Sequence, residues 1–149
     1  MTVLTGKQQG VLRGMIAAVG VTIAALVAAV WLAPTAWLPD ATFPGAVRFA
    51  MRCDVAVIAC LCGSFGVLAR HRFFTPEDID GGGLTAGTPT AHRLQSELQN
   101  TLEQTVLAVG AHVAWAVTTP VSWQGAVPVA AGLFVVGRLL FWRGYALGD

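Results

Sequence analysis

A chain of 149 residues in which 55% of the side chains are hydrophobic and 11% are charged is too apolar for a water-soluble domain, where roughly 25% are charged. Its mean hydropathy of +0.65 indicates an integral membrane protein, and its length fits a single membrane domain over 1–149. The formal net charge of +1 does not indicate the dense basic patch of nucleic-acid-binding proteins, so we expect no nucleic-acid partner.

The N-terminal half contains two stretches that are predicted to cross a membrane, since a bilayer core takes about 20 apolar residues. The first, 14–33, has no charged residue and is longer than the apolar core of a cleaved signal peptide. The second, 46–70, becomes cleanly apolar only after Asp54, and its first turns also carry Arg48 and Arg52. We expect these three charged residues to mark the membrane edge.

The C-terminal half adds a polar loop and two further spans. The loop, 71–94, is rich in glycine and proline, and the spans are 96–119 and 125–143. The predicted fold is therefore an all-α integral membrane protein, a four-transmembrane-helix bundle. Basic residues cluster on one side of such a bundle, which predicts that both termini face the cytoplasm. These residues are Lys7, Arg13, Arg70, Arg72, Arg93, Arg138 and Arg143.

The third span carries a polar stripe, because Arg93, Glu97, Asn100 and Glu103 recur at steps of three or four residues. Arg93 and Glu97 have the spacing of a pair near the surface. Asn100 and Glu103 lie deeper, where an unpaired carboxylate costs several kcal/mol. The stripe therefore indicates either a buried polar pair that fixes helix packing or a ligand site, and the residues alone leave both open.

The fourth span ends with Arg138, Phe141 and Tyr145 on one helix face. Arg138 lies at a depth similar to that of Glu103, so we expect that the two can form an ion pair across a helix or subunit interface. A guanidinium at this depth can also hold an anion, because its planar donors match a carboxylate. Tyr145 fits an interfacial aromatic residue equally well.

No metal site is expected. His112 lies in the middle of the third span, and no second histidine or carboxylate stands at metal-ligand spacing from it. We expect His112 to be packed and hydrogen-bonded. Cys53, Cys60 and Cys62 fall in one helix and are expected to behave as small apolar side chains.

Three motifs, in this order, resemble those of the MAPEG family, the membrane-associated proteins in eicosanoid and glutathione metabolism, which includes microsomal glutathione transferases and leukotriene synthases. The resemblance covers roughly 47–145. It rests on the end of the second span, the polar pair of the third and the end of the fourth. The motifs are Ala69-Arg70-His71-Arg72-Phe73, Asn100-x-x-Glu103 and Arg138-x-x-Phe141-x-x-Gly144-Tyr145.

The resemblance implies a homotrimer that binds glutathione or another anionic thiol at subunit interfaces near the cytoplasmic face. Glutathione would be a substrate, with no tightly bound cofactor. The second substrate would be a lipophilic electrophile or a lipid peroxide from the bilayer, with lipids as surrounding partners. The implied catalytic residues are Arg138 and Tyr145. The implied glutathione contacts are Asn100, Glu103, Arg93, Arg70, Arg72 and Phe141.

The sequence departs from the family pattern at positions that bear on catalysis. Ser96 stands where the family often has an arginine, and Gln104 stands where it often has a tyrosine. The arginine thought to activate the thiol follows the glycine-tyrosine of the family, whereas this sequence ends at Asp149, and one further span precedes the family-like region. Three functions are left open by these residues: an enzyme, a non-catalytic membrane module with the same fold, and a small transporter or channel subunit.

Overall fold

The computed structural model describes residues 5–81 and 86–147, and the fold is built from four long α-helices. These are α1 (Gly6–Leu32), α2 (Phe43–Phe74), α3 (Pro89–Thr118) and α4 (Ala126–Leu147). Single turns of 3-10 helix lie in the connections, at Thr35–Trp37, Pro76–Asp78 and Val121–Trp123. No strand occurs among the described residues, so the all-α class is confirmed, and the four helices agree with the predicted bundle.

Threonine N-caps determine where the first three helices begin. Thr5 forms a capping box, and the hydroxyls of Thr42 and Thr88 each accept a hydrogen bond from the backbone N–H three residues later. Such a cap stabilises a helix by about 1 kcal/mol. With Thr88 as the cap and Pro89 in the first turn, α3 begins earlier than the span predicted from hydropathy. The connecting loop is therefore shorter than the predicted 71–94, since hydropathy marks the membrane part of a helix and not its caps.

Helices α2 and α3 lie antiparallel and form the most extensive interface of the bundle. Three side-chain hydrogen bonds join them, and from one to the next the residue numbers increase along α2 and decrease along α3. They are Asp54–His112, Ser64–Thr101 and Arg72–Gln95. Small side chains let the helices approach closely, as in other membrane bundles. The core against α4 consists of Ala46, Ala50, Ala116 and Val127.

Helix α1 packs mainly against α4, and Ala29 is the one residue of this fully described helix that is buried. Among the described residues, α1, α2 and the segment Val121–Tyr145 are long and apolar enough to cross a membrane, by length and composition. Helix α3 is not one of these segments, because its polar stripe lowers its hydropathy. Its crossing of the membrane therefore stays a prediction.

Gly125, immediately before α4, lies in close contact with the end of α1. A Cβ atom at this position would lie 2.9 Å from the carbonyl oxygen of Ala29 and closer still to the Cβ of Ala33. Neither atom can move without a shift of the α1 backbone. Glycine at position 125 therefore determines how closely α1 packs on the rest of the bundle.

We expect Gly125→Ala to destabilise the protein by about 1–3 kcal/mol, the usual cost of forcing an extra methyl group into a packed site. Gly132→Ala is the matched control, because a Cβ atom at Gly132 in α4 would meet open space. The measurement is thermal unfolding of the purified protein in detergent, followed by circular dichroism. Equal melting temperatures for the two variants would contradict this role of Gly125.

Candidate functional site

Arg138 and Asn100 join α4 to α3. The Nη1 of Arg138 donates a hydrogen bond of 2.7 Å to Asn100 Oδ1, and both side chains are half-buried. The guanidinium also lies over two rings of its own helix, 4.5 Å from the centre of Phe141 and 5.7 Å from that of Phe134. Cation–π contacts of this kind contribute about 0.5–2 kcal/mol. The guanidinium is therefore held in place while most of its N–H donors make no hydrogen bond within the described residues.

Tyr145 and Arg93 extend this cluster towards the end of α4 and the start of α3. The ring of Tyr145 packs on Phe141, with 4.6 Å between the ring centres. The Nη1 of Arg93 donates to the backbone carbonyl of Tyr145 at 3.0 Å, and its Nε lies 3.8 Å from Glu97 Oε1, the pair expected near the surface. The structure thus brings together five of the predicted site residues along the α3–α4 contact. They are Arg93, Asn100, Arg138, Phe141 and Tyr145.

Glu103 lies outside this cluster, and the expected ion pair between Glu103 and Arg138 is wrong within one subunit. The Oε1 of Glu103 accepts a hydrogen bond of 2.9 Å from Gln99 Nε2, and the side chain is exposed. The reason is helix geometry: residues three apart are offset by about 60° around a helix, so Asn100 faces α4 while Glu103 faces outward.

Arg70 and Arg72 lie at the end of α2 and make other contacts. The Nη2 of Arg72 donates to Gln95 Oε1 of α3 at 2.9 Å, and the exposed Arg70 lies 5.6 Å from the ring centre of Phe74. No contact among the described residues joins either arginine to Arg138. A glutathione contact through these two arginines therefore stays a prediction.

A polar cluster closes the connection between α2 and α3. The Oδ1 of Asp78 accepts from the backbone N–H of Thr88 at 2.8 Å, and its Oδ2 accepts from the Thr88 hydroxyl at 2.7 Å and from the His71 ring at 2.9 Å. These hydrogen bonds, above all those from Thr88, hold the pKa of the Asp78 carboxyl below its ordinary value. Because Thr88 caps α3, the cluster fixes the start of that helix and so positions Arg93.

Asp54 has a partner that the prediction of a membrane-edge charge did not include. Its carboxyl group is fully buried between α2 and α3, where Oδ1 lies 2.6 Å from Nδ1 of His112. His112 is packed and hydrogen-bonded, as expected. The sequence contains an indication that Asp54 is buried. Asp54 lies four residues after Ala50 and three before Val57, so it falls on the same buried face of α2. Its partner depends on the register between two helices, which a pattern within one helix does not contain.

Most of the chain matches one known protein family. The sequence model of the MAPEG family matches residues 50–149, which include most of α2 and all of α3 and α4. The chain belongs to the MAPEG family. It is therefore an integral membrane protein of the family of glutathione and eicosanoid metabolism. No curated protein and no solved structure gives a significant match.

The cluster around Arg138 lies within the MAPEG-matched range, and so do Asp78 and the buried pair of Asp54 and His112. Helix α1 lies outside that range. The candidate site therefore belongs to the part of the chain that matches the family, whereas α1 lies outside this part and packs beside it.

The lowered pKa of Asp78 predicts that the stability of the loop between α2 and α3 depends on pH. The folded-state pKa lies below that of the unfolded chain, so the stabilisation is fully present above the ordinary pKa of about 4 and is lost as the pH falls through the lowered value. We expect the Thr88 amide to be protected from hydrogen exchange at neutral pH and to lose this protection in acid.

Asp78→Asn should lower the protection of the Thr88 amide at neutral pH, because Asn has one uncharged acceptor oxygen in place of the two charged oxygens that bind Thr88 and His71. Asp80→Asn, at an exposed neighbouring position, is the control and should leave the protection unchanged. The measurement is hydrogen exchange followed by mass spectrometry or NMR. A Thr88 amide that stays protected in Asp78→Asn would contradict this role of the carboxylate.

Proposed function

We infer that this MAPEG protein binds glutathione in the interface of a homotrimer, at the site formed by Arg138 and Asn100, and conjugates it to lipophilic electrophiles or uses it to reduce lipid peroxides. The observation that carries the proposal is the Arg138 guanidinium, which is half-buried and has no acidic partner among the described residues. A cation in such surroundings favours an anionic ligand. Glutathione offers two carboxylates and, when ionised, a thiolate.

The orientation of the guanidinium suits a carboxylate. Asn100 accepts from one of its five N–H donors, and the planar group retains donors that can bind a carboxylate in bidentate fashion. Asn100 uses its amide oxygen for Arg138, so its NH₂ group is left to donate to a peptide carbonyl of the ligand. Phe141 lies against the guanidinium and prevents it from turning away from α3.

As the alternative to holding a carboxylate, the same cation supports thiol chemistry. A neighbouring guanidinium stabilises a bound thiolate, so glutathione gives its thiol proton to solvent and the sulfur becomes the nucleophile. The sulfur then forms a bond to the electrophilic carbon of the second substrate, whose leaving group, such as a halide, departs with the electron pair of the broken bond. Tyr145 donates a hydrogen bond to the sulfur. In peroxide reduction the sulfur attacks a peroxide oxygen, the alcohol leaves, and a second glutathione completes the disulfide and releases water.

The surface around Glu103 supports a site that is shared between subunits. Its neighbours on α3, Val106 and Leu107, are 63% and 66% exposed, which suits contact with lipid or with another subunit. Lipid covers apolar side chains but leaves a carboxylate without a partner. In the trimer, the ammonium group of a glutathione bound across the interface would pair with Glu103.

Glu103 also carries a second candidate function, that of a non-catalytic membrane module in which the polar stripe serves assembly. In this case its partner would be a polar group of the neighbouring subunit alone. The two functions share the trimer and differ in what lies between the subunits, so one substitution at Glu103 separates them.

Arg138→Gln should weaken glutathione binding about 10–100-fold, because a hydrogen bond to a charged group contributes about 1.5–3 kcal/mol. Arg143→Gln is the matched control, since Arg143 is an exposed cation near the same end of α4. The measurement is isothermal titration calorimetry of each variant in lipid nanodiscs. Equal affinities for the two variants would contradict a glutathione site at Arg138.

Glu103→Gln should leave the trimer intact and weaken glutathione binding about tenfold, because the amide keeps the size of the side chain and loses the charge that attracts an ammonium group. The control is Glu97→Gln on the same helix, where the carboxylate pairs with Arg93 of its own subunit. Native mass spectrometry reports the oligomer and calorimetry reports binding. Loss of the trimer with unchanged glutathione affinity would instead support the assembly module.

A further inference from the structure

A cavity of about 210 Å³ lies between α1, α3 and α4, towards the end of α3 that is remote from Asn100. Its walls are apolar apart from His112, and they include Leu26 of α1, Trp115 of α3 and Ala130 of α4. Helix α1 lies outside the region that matches the MAPEG family. Helix α1 therefore closes one side of a cavity whose other walls come from the MAPEG-matched helices α3 and α4.

His112 has one ring nitrogen free to bind a ligand. Its Nδ1 is engaged by Asp54 at 2.6 Å, and Nε2 makes no hydrogen bond within the described residues. His112 lines the cavity, so Nε2 is the ring nitrogen that remains for a ligand there. Asp54 is fully buried, and its Oδ2 has no partner among the described residues. The pair therefore lies in surroundings that disfavour a net charge.

The net charge of the Asp54–His112 pair determines whether Nε2 of His112 is a hydrogen-bond donor or an acceptor. The pair is neutral when Asp54 keeps its proton and donates it in a hydrogen bond to Nδ1, and also when this proton moves to the ring and makes an ion pair. In both states Nε2 carries a hydrogen. Nε2 would be an acceptor if the pair carried a net negative charge, which costs several kcal/mol in an apolar interior. It would also be an acceptor if the Asp54 proton stood on Oδ2, but Oδ2 has no partner among the described residues and would then be a buried, unsatisfied donor. His112 thus presents an N–H donor to the cavity.

We propose that this cavity binds the head of a lipophilic compound with a neutral carbonyl group, such as a fully substituted quinone, whose oxygen accepts a hydrogen bond from His112. A hydrocarbon of the same shape would leave the donor unpaired. A carboxylate would bring a net charge into the apolar site beside Asp54, at the cost that the neutral pair avoids. A neutral carbonyl meets both requirements.

The shape of the cavity agrees with a ring that carries a tail. A volume of about 210 Å³ is below the roughly 300–1,000 Å³ of sites for drug-sized ligands, and it suits a single ring. A second apolar cavity of about 530 Å³ shares Leu26 and Trp115 with the first and continues along α1 to Trp31. The shared wall is fixed, because the Trp115 indole stacks on Trp123 and donates to its carbonyl at 3.1 Å.

The test compares duroquinone with durene, the hydrocarbon that has the same ring and methyl groups. The full-length protein in nanodiscs should bind duroquinone about tenfold more tightly than durene, a difference of about 1.4 kcal/mol, and infrared spectra should show a hydrogen-bonded carbonyl. Duroquinone has no free ring position, so Cys53, Cys60 and Cys62 cannot add to it. Equal affinities for the two compounds would overturn the proposal.

Two variants locate the binding. The double variant Asp54→Leu with His112→Phe removes the pair without leaving an orphaned polar group, and it should bind the two compounds equally. Ala130→Phe fills the cavity without touching the pair, and it should abolish binding of both. A preference for duroquinone that survives in the double variant, or binding that survives in Ala130→Phe, would overturn the proposal. Circular dichroism of each variant checks that it folds. If the double variant does not fold, the result for Ala130→Phe alone decides whether the proposal stands.

Discussion

A polar side chain inside a membrane requires a partner, and this requirement organises the bundle. Among the described residues it is met between helices by Arg138, which donates to Asn100, and by His112, which binds Asp54. The first contact joins α4 to α3 and the second joins α3 to α2. Glu103 differs from these residues, because its hydrogen bond is to its own helix and its side chain is exposed.

These two pairs differ in whether the basic side chain has an acidic partner, and so they favour different kinds of ligand. Arg138 has a neutral partner, so its positive charge remains available to an anion. His112 has an acidic partner, Asp54, so this pair holds no cation that lacks an acidic partner. The first site lies in the part of the chain typical of the family. The second depends on α1, which is held against α4 by the close approach at Gly125.

The sequence predicts much of the fold, because a long apolar stretch or a step of three or four residues has the same meaning in any membrane helix. The stripe of α3 and the face of α4 that carries Arg138 follow from such steps. Such steps do not show which residue of α3 contacts Arg138, because this depends on how far α3 is rotated relative to α4. For the same reason, the pairing of Asp54 with His112 follows from the antiparallel register of α2 and α3, which the pattern along either helix does not specify.

The central claim is that a cation without an acidic partner, held by Asn100 and Phe141, forms a glutathione site. The most direct test is a titration of the purified protein in nanodiscs with glutathione, in which the ultraviolet absorbance of the thiolate is followed. A site at Arg138 predicts a saturable rise in thiolate absorbance at millimolar glutathione, and no rise with S-methylglutathione, which has no thiol. Absence of binding at millimolar glutathione would contradict the claim.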